Sequence, residues 1–545
     1  MQKLRDAGLS SEDLICGRLL ARQAARNGDR PYLLFGDQRI TYGELDRVTD
    51  RLANGLLDAG VAPGAHVALI LGNGPEILLL HYALGKIGAI VCPVNTGAKG
   101  ELLLHYLGHS DSSVAVVGTA SWASFAAVAG KAPRVRIVVR VQEPATDGDP
   151  AQAELPAAIS CVPYEALHRG ADRRPGCAVS HSDPAGIFYT SGTTGPSKGI
   201  VATHAQSFAF ALGRVEYFGY APEDVLYTCL PLFHTSAMYH AAIAALIADA
   251  QVAVSRRFSV SGFWPEVRRY RATQFNLLGS MANMLWGRAP GADDRDHSVR
   301  MCGMAPIPSF GPEFERRFGV QIVTSYGLTD FGQGTILQPG YPAEKFHSVG
   351  KPRPGVEVQV RDDDGRIAPA DVAGEICLRS ADPALGGRRY YKNDQANADA
   401  WRDGWFHTGD RGYFDAEGYL YFTDRKKDAI RRRGENISAW EVERLIAAHP
   451  AVANVAVVGV KAEMLEEEVL ACVVRRPSES LDEAELIRYC EDAMPKWMIP
   501  RFVEFMQDLP ATKTQKVEKE KLRASAENRL NGIWDRERAR SAQVR

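Results

Sequence analysis

The chain has 545 residues, 45% of them hydrophobic and 24% charged, with a formal net charge of −2. That is ordinary globular composition, long enough for about three to four domain-sized units with large cores. A charge balance this close to neutral argues against a dedicated nucleic-acid binder.

The nine cysteines are scattered and form no Cys-x-x-Cys pair. They fit reduced thiols in a cytoplasmic protein better than a disulfide framework or a zinc site. No charged stretch followed by an apolar run opens the chain, so no signal peptide is expected. The most apolar window, 77–91, is interrupted by His81 and Lys86 and falls short of the ~20 residues that span a bilayer.

Thr41-Tyr42-Gly43-Glu44 has the spacing of a capping box, and Leu45, Val48, Leu52 and Leu56 continue it at helical steps until Ala59-Gly60. His66 to Leu71 reads as a strand, a second helical pattern follows, and Ala89 to Cys92 reads as another strand ending at Pro93. This alternation predicts a parallel sheet covered by helices. Residues 142–157, rich in Pro, Ala, Asp and Gly, read as a surface connection.

After the apolar pair Ile187-Phe188 comes Tyr189-Thr190-Ser191-Gly192-Thr193-Thr194-Gly195-Pro196-Ser197-Lys198-Gly199. Glycines let a backbone approach a ligand closely, and successive N–H groups can then line an anion. The hydroxyls add neutral donors, and Lys198 adds a point charge suited to phosphate. The spacing is not that of the Gly-x-x-x-x-Gly-Lys-Ser/Thr phosphate loop.

Further along stand Leu230-Pro231-Leu232-Phe233-His234-Thr235-Ser236, then Phe275 to Met281, read as a strand and a turn. Gly303-Met304-Ala305-Pro306 and Thr324-Ser325-Tyr326-Gly327-Leu328-Thr329-Asp330 follow, and a strand-rich section from Ser348 leads to Thr408-Gly409-Asp410. An ionised carboxylate such as Asp410 is acceptor-only and can take two hydrogen bonds at once. The basic run from Arg425 to Arg433 carries no interleaved aromatics, so phosphates of small ligands explain it better than nucleic acid. Ser438-Ala439-Trp440-Glu441 is a second capping box. Strands over 453–460 and 469–474, a helix over 482–493 and a charged, helix-like tail after Leu522 complete the chain.

These motifs, in this order, resemble those of the adenylate-forming superfamily, which comprises acyl- and aryl-CoA synthetases, luciferases and peptide-synthetase adenylation domains. The wording is most similar to ATP-dependent acyl-CoA ligases of the carnitine/crotonobetaine type. The resemblance implies an α/β fold with a large N-terminal domain over 1–426, made of stacked αβ subdomains plus a β-rich subdomain. A small mobile α+β domain over 427–545 would turn about a hinge at Lys427.

It assigns the ATP phosphates to Thr190, Ser191, Gly192, Thr193, Thr194, Gly195 and Lys198. Adenine falls to Gly303, Ala305, Pro306, Tyr326 and Gly327, phosphate also to Thr329, and ribose to Asp410 and Arg425. Asp330 would hold Mg²⁺, at a position where the family usually has Glu. The acyl pocket would be lined by His234, Tyr239, Met281, Gly327 and Gln333; amino-acid-activating members tend to carry Asp where His234 stands. Arg433, Gly434 and Glu435 would meet coenzyme A.

Lys516, with Gln515 where the family usually has Gly, would reach the reacting carboxylate. Lys513 and Lys519 compete for that role. Catalysis would rest on Lys516, Thr190, Lys198 and His234. The expected activity is an ATP-, Mg²⁺- and coenzyme A-dependent acid–CoA ligase in the cytoplasm, with neither nucleic-acid partner nor transmembrane segment, and a homodimer allowed. A stand-alone adenylation enzyme loading a carrier protein is the runner-up, a luciferase-like oxidation is more remote, and a non-catalytic nucleotide or acyl-CoA binder is the alternative of another class.

Overall fold

The computed structural model describes residues 10, 13–132, 134–143, 154–190, 197–308, 310–382, 385–425, 429–433, 435–461, 467–476, 479–510 and 517–543. The capping box at Thr41 forms as expected: Thr41 Oγ1 accepts from the Glu44 amide at 3.2 Å, and the Glu44 carboxylate accepts from the Thr41 amide at 2.8 Å. The helix Tyr42–Asp58 then buries Leu45, Leu52 and Leu56. Strands His66–Ile70 and Ile90–Pro93 pair in parallel, joined by the helix Pro75–Ile87.

Those strands sit in an eight-stranded sheet whose order is Arg389–Tyr390, Lys198–Thr203, Pro184–Thr190, Ile90–Pro93, His66–Ile70, Val114–Gly118, Ile137–Val141 and Ser160–Pro163. All neighbours are parallel except the first two pairs. A nine-stranded sheet has a parallel centre that includes Met301–Ala305, Gln274–Leu278 and Val225–Thr228, with antiparallel pairs at its edges. A five-stranded antiparallel sheet is built between 356 and 425.

After residue 426 the described strands form a two-stranded hairpin and a separate four-stranded sheet. The last strand of that sheet, Trp534–Asp535, comes from the charged tail, which sequence reading treated as helical only. It is held by Arg501, which pairs with the buried Asp535 at 3.0 Å. One apolar cluster runs across the junction, from Ala68, Leu103 and Val138 to Ile430, Val457 and Val503. Among the described residues no helix is long and apolar enough to cross a membrane.

The elements that build the site are, in chain order, β1 (Pro184–Thr190), β2 (Lys198–Thr203), α1 (His204–Tyr217), β3 (Gln274–Leu278), β4 (Met301–Ala305), β5 (Gln321–Leu328), β6 (Gly332–Leu337), β7 (Arg389–Tyr390), β8 (Trp405–Phe414), β9 (Ala429–Arg432), β10 (Glu435–Ser438) and α2 (Ala439–Ala447). The turn expected after β3 is instead the helix Gly279–Trp286. The strand register puts Asn276 opposite Gly303 and Tyr326 opposite Thr335.

Burial holds the imidazoles of His81 and His204 down to about 4, with His204 adding to the effect on His81 and Asp183 opposing that on His204. Between pH 6.5 and about 4 the unfolded chain therefore binds protons that the folded chain refuses, and stability falls as pH falls. The urea midpoint of unfolding should drop between pH 7.5 and pH 5, and His204→Gln should flatten that drop. A midpoint that does not move over this range contradicts the assignment.

Candidate functional site

In an open α/β sheet, ligands gather where parallel strands end, because every connection leaves from that edge. Here the carboxyl ends of strands from both large sheets face one cavity of about 490 Å³, reached by Pro93, Tyr189, Leu278, Ala305 and Leu328. Thr190 and Lys198 are partners in the β1–β2 ladder. Ser191, Gly192, Thr193, Thr194 and Gly195 lie outside the described residues, as do Lys427, Gly434, Lys513, Gln515, Lys516 and the side chains of Thr190 and Arg425.

Lys198 opens β2 with its Nζ 5.1 Å from the centre of the Tyr390 ring. The Tyr390 hydroxyl donates to Asp330 Oδ2 at 2.6 Å. Burial, then Asp330, push that phenol far above its ordinary value, so it remains a donor. Arg388 fastens the segment bearing the acid: its amide donates to Asp330 O at 2.9 Å, and its guanidinium donates to Thr329 O and, at 3.1 Å, to Gln206 O. Lysine, phenol and carboxylate thus come together on the cavity wall. Tyr390 and Arg388 were missed from sequence because nothing local marks a residue 60 positions beyond its partner.

On the β5–β8 side, the Tyr326 hydroxyl donates to Asp410 Oδ2 at 2.8 Å, and Thr408 Oγ1 accepts from the Asp410 amide at 3.0 Å. Asp410 is 3% exposed yet reaches the cavity. Gly327 must be glycine, since a Cβ there would lie 2.6 Å from Gly332 O. A Cβ on Gly303 would stand 2.2 Å from Asn276 Oδ1, so a larger residue there would have to displace that side chain. Ala305 and Thr329 line the cavity, whereas Pro306 packs against Gly279 and Tyr326 lies behind the wall.

His234, Met281 and Gln333 line the cavity. Tyr239 does not: it is buried within a π-helical turn, Met238–Ile243, its ring against those of Phe188 and Phe210 at 5.7 and 6.2 Å. It supports the wall from behind, and the same turn brings His240 to the cavity instead. Asn276, Ser325 and Arg214 of α1 also reach it, and sequence reading missed all three.

The elements after residue 426 cover the opening. Glu435 Oε1 lies 3.0 Å from His234 Nε2 and accepts from Asn95 Nδ2 at 3.2 Å. Burial works to raise that carboxyl, but His234 and Arg431 more than offset it, leaving it below the usual glutamate value. Glu441 Oε1 accepts from the Ser197 amide at 2.8 Å and from Ser197 Oγ at 2.7 Å. Burial raises Glu441 above its ordinary value against these donors.

Trp497 also lines the cavity, its ring where a side chain on Gly97 would stand, 2.3 Å from the Cβ position. Arg433 lines it as well. Arg432 belongs to a different structure: it is buried, paired with Glu468 at 2.5 Å and donating to the carbonyls of Trp497 and Ile499, so part of the basic run serves folding rather than phosphate. Lys519, a competitor for the terminal role, pairs with Glu443 at 2.7 Å.

Residues 20–387 match the family described as AMP-binding enzyme, and residues 441–516 match the AMP-binding enzyme C-terminal domain. The chain is 32% identical over 511 residues to the crotonobetaine/carnitine–CoA ligase of Salmonella choleraesuis, covering 91% of this chain and 96% of that one. Among solved structures it resembles o-succinylbenzoate CoA synthetase from Bacillus subtilis, with a TM-score of 0.78 and 26% identity over 93% of this chain and 98% of the other. It also resembles a fatty acyl CoA synthetase from Mycobacterium tuberculosis, with a TM-score of 0.68 and 27% identity over 95% and 99%.

Two hydrogen bonds to one buried carboxylate should hold the cover in place. Glu441→Ala removes the one oxygen that accepts both, at about 1.5–3 kcal/mol for hydrogen bonds to a charged group. Amides of 435–447 should then exchange with deuterium roughly ten- to a hundredfold faster, while those of 467–475 keep their protection. Unchanged exchange over 435–447 would show that the clasp contributes nothing.

Proposed function

The chain belongs to the AMP-binding enzyme family, and on that premise we propose how its own residues divide the work of an AMP-forming acid–CoA ligase. The reaction has two halves. A carboxylate is a poor acyl donor, because its leaving group would be oxide. Its oxygen attacks the α-phosphorus of ATP, pyrophosphate leaves, and the acyl-adenylate now carries AMP as a good leaving group. The thiol of coenzyme A then attacks the adenylate carbonyl, AMP departs, and the thioester forms. No general base is needed in the first half, since the acid is already ionised at neutral pH.

In our reading Lys198, with Thr190 and the loop 191–195, receives the phosphates released as pyrophosphate, and Tyr390 beneath it fixes the position of Asp330. Asp410 takes the ribose hydroxyls, Arg425 adding a second contact, while Gly303, Ala305 and Gly327 border the adenine, with Tyr326 behind them. Asp330 is an oxygen donor of the kind magnesium prefers, one carboxylate completed by phosphate and water. Bound there, Mg²⁺ would neutralise charge on the departing pyrophosphate. Lys516 is the group for the adenylation step, lowering repulsion between the acid and the α-phosphate.

The observation that carries this division is the cover itself. Glu435 meets His234, and Arg433 and Trp497 reach the cavity, from a region that follows residue 426. We read this seating as the arrangement for the thioester half, with 1–426 and 427–545 as the two moving parts, Lys427 as the hinge and Gly434 at the thiol entrance. The cytoplasm, where ATP and coenzyme A meet, is the proposed place of work.

Two-part motion makes the halves separable. Lys516→Ala should depress acid-dependent pyrophosphate release by about 100-fold or more. Thioester formation from supplied acyl-adenylate should stay within about threefold of wild type. Equal loss in both halves would defeat the assignment. For the acceptor, AMP release across a panel of acids should require coenzyme A; turnover indifferent to coenzyme A would favour a carrier protein instead.

A further inference from the structure

Several buried cations among the described residues are answered by carboxylates or main-chain carbonyls, although Arg388 and Arg536 each keep an Nε without a partner there. Lys86 has Asp46 and Asp50, each at 2.6 Å; Arg432 has Glu468; Arg388 donates to main-chain carbonyls. Arg214, 8% exposed, reaches the cavity from α1, and its guanidinium stacks 4.4 Å from the Phe218 ring centre. Its Nη2 donates to Ser325 Oγ at 3.2 Å. Its Nε and Nη1 meet no acceptor among the described residues.

Among the described residues, no carboxylate bears on that guanidinium. Ser325, Asn276 and Gln333 carry no charge, and Gln333 Oε1 has no donor among the described residues. His240 stacks on Phe210 at 4.6 Å, and burial, then Arg214, hold it well below its ordinary value, so it is uncharged at neutral pH. The Tyr220 phenol lies beside Arg214 and is pushed above its ordinary value by burial. Burial takes Arg214 down to about 10, which still leaves it a cation at pH 7.

A buried charge without a counter-ion is costly to a fold, and it persists where something else supplies the opposite charge. Gly303 lets the guanidinium and Asn276 pack close to β4, since a Cβ there would lie 3.2 Å from Arg214 Nη1 and 2.2 Å from Asn276 Oδ1. Guanidinium matches a carboxylate with two parallel N–H donors, and it serves that purpose better than ammonium.

We propose that the acid activated by this enzyme carries a second anionic group, a carboxylate or an equivalent oxyanion, which is received by Arg214 with Asn276 and Ser325 as neutral partners. The proposal rests on the ligase reading and names the substrate class within it: dicarboxylic acids and their like, activated at one end only. A fixed positive charge on the acid would be repelled by the same residue. The chain would therefore differ in substrate from its crotonobetaine/carnitine-activating relatives.

The test uses the full chain with Mg-ATP and coenzyme A, and reads AMP formation from acids matched in length over two to ten carbons. Each length is supplied as the dicarboxylate, the monocarboxylate and the ω-trimethylammonio acid. Wild type should favour the dicarboxylate over its monocarboxylate partner by about 100-fold or more in kcat/KM at its best length, with the ammonio acid below both. Arg214→Met should shrink that preference to within about threefold, and Arg214→Lys should keep part of it. A wild-type enzyme that turns over monocarboxylates or ammonio acids as well as dicarboxylates overturns the proposal and leaves the ligase standing. AMP from no acid at any length would instead overturn the ligase reading beneath it.

Discussion

A carboxylate sealed from water keeps its charge only where donors are aimed at it. Glu441 receives its donors from Ser197, a residue 244 positions earlier and one step before Lys198 opens β2. Glu435, on β10 just before it, is answered by His234 and Asn95. Seating the cover and placing the start of β2 are therefore one event. The chain cannot satisfy either carboxylate without bringing the region after residue 426 over the mouth of the cavity.

The cavity follows from strand direction. Parallel strands all end on one edge, so connections from both large sheets must pass through the same space, and the residues at those turns become its lining. Within it the side chains divide by charge. Lys198, Tyr390 and Asp330 form one group, Asp410 with Tyr326 behind it another, and Arg214 stands among neutral partners. Such separation lets one cavity accept a polyphosphate, a ribose and an acid without the three competing for the same donors.

Local rules made much of this legible in the sequence. The capping box at Thr41, the parallel pair at His66 and Ile90, and the glycines at 303 and 327 could be read because each depends on near neighbours or on a motif in one stretch. Lys198, His234, Asp330 and Asp410, singled out from their motifs, also stand on the cavity. What failed to show was tertiary. Arg214 sits within α1, where an arginine reads as a solvated face, and only the packing of α1 against β6 and the π-helical turn Met238–Ile243 turns it inward. Ser438 Oγ does accept from the Glu441 amide at 3.3 Å, but the carboxylate that would complete the capping box is drawn away to Ser197. Tyr239 was placed one layer too far forward, because a π-helical turn changes which side chain faces in. The strand Trp534–Asp535 is two residues long, too short for any periodicity to mark it.

The central claim is that the acid's own oxygen becomes bonded to the α-phosphorus of ATP. Its most direct test follows that oxygen. With an acid labelled in its carboxylate with ¹⁸O, in the presence of Mg-ATP and coenzyme A, one labelled oxygen per turnover should appear in the phosphate of AMP. The acyl-adenylate bond is broken on its carbonyl side, so AMP keeps the acid's oxygen. Label found instead in inorganic phosphate or pyrophosphate, with AMP unlabelled, would contradict the account.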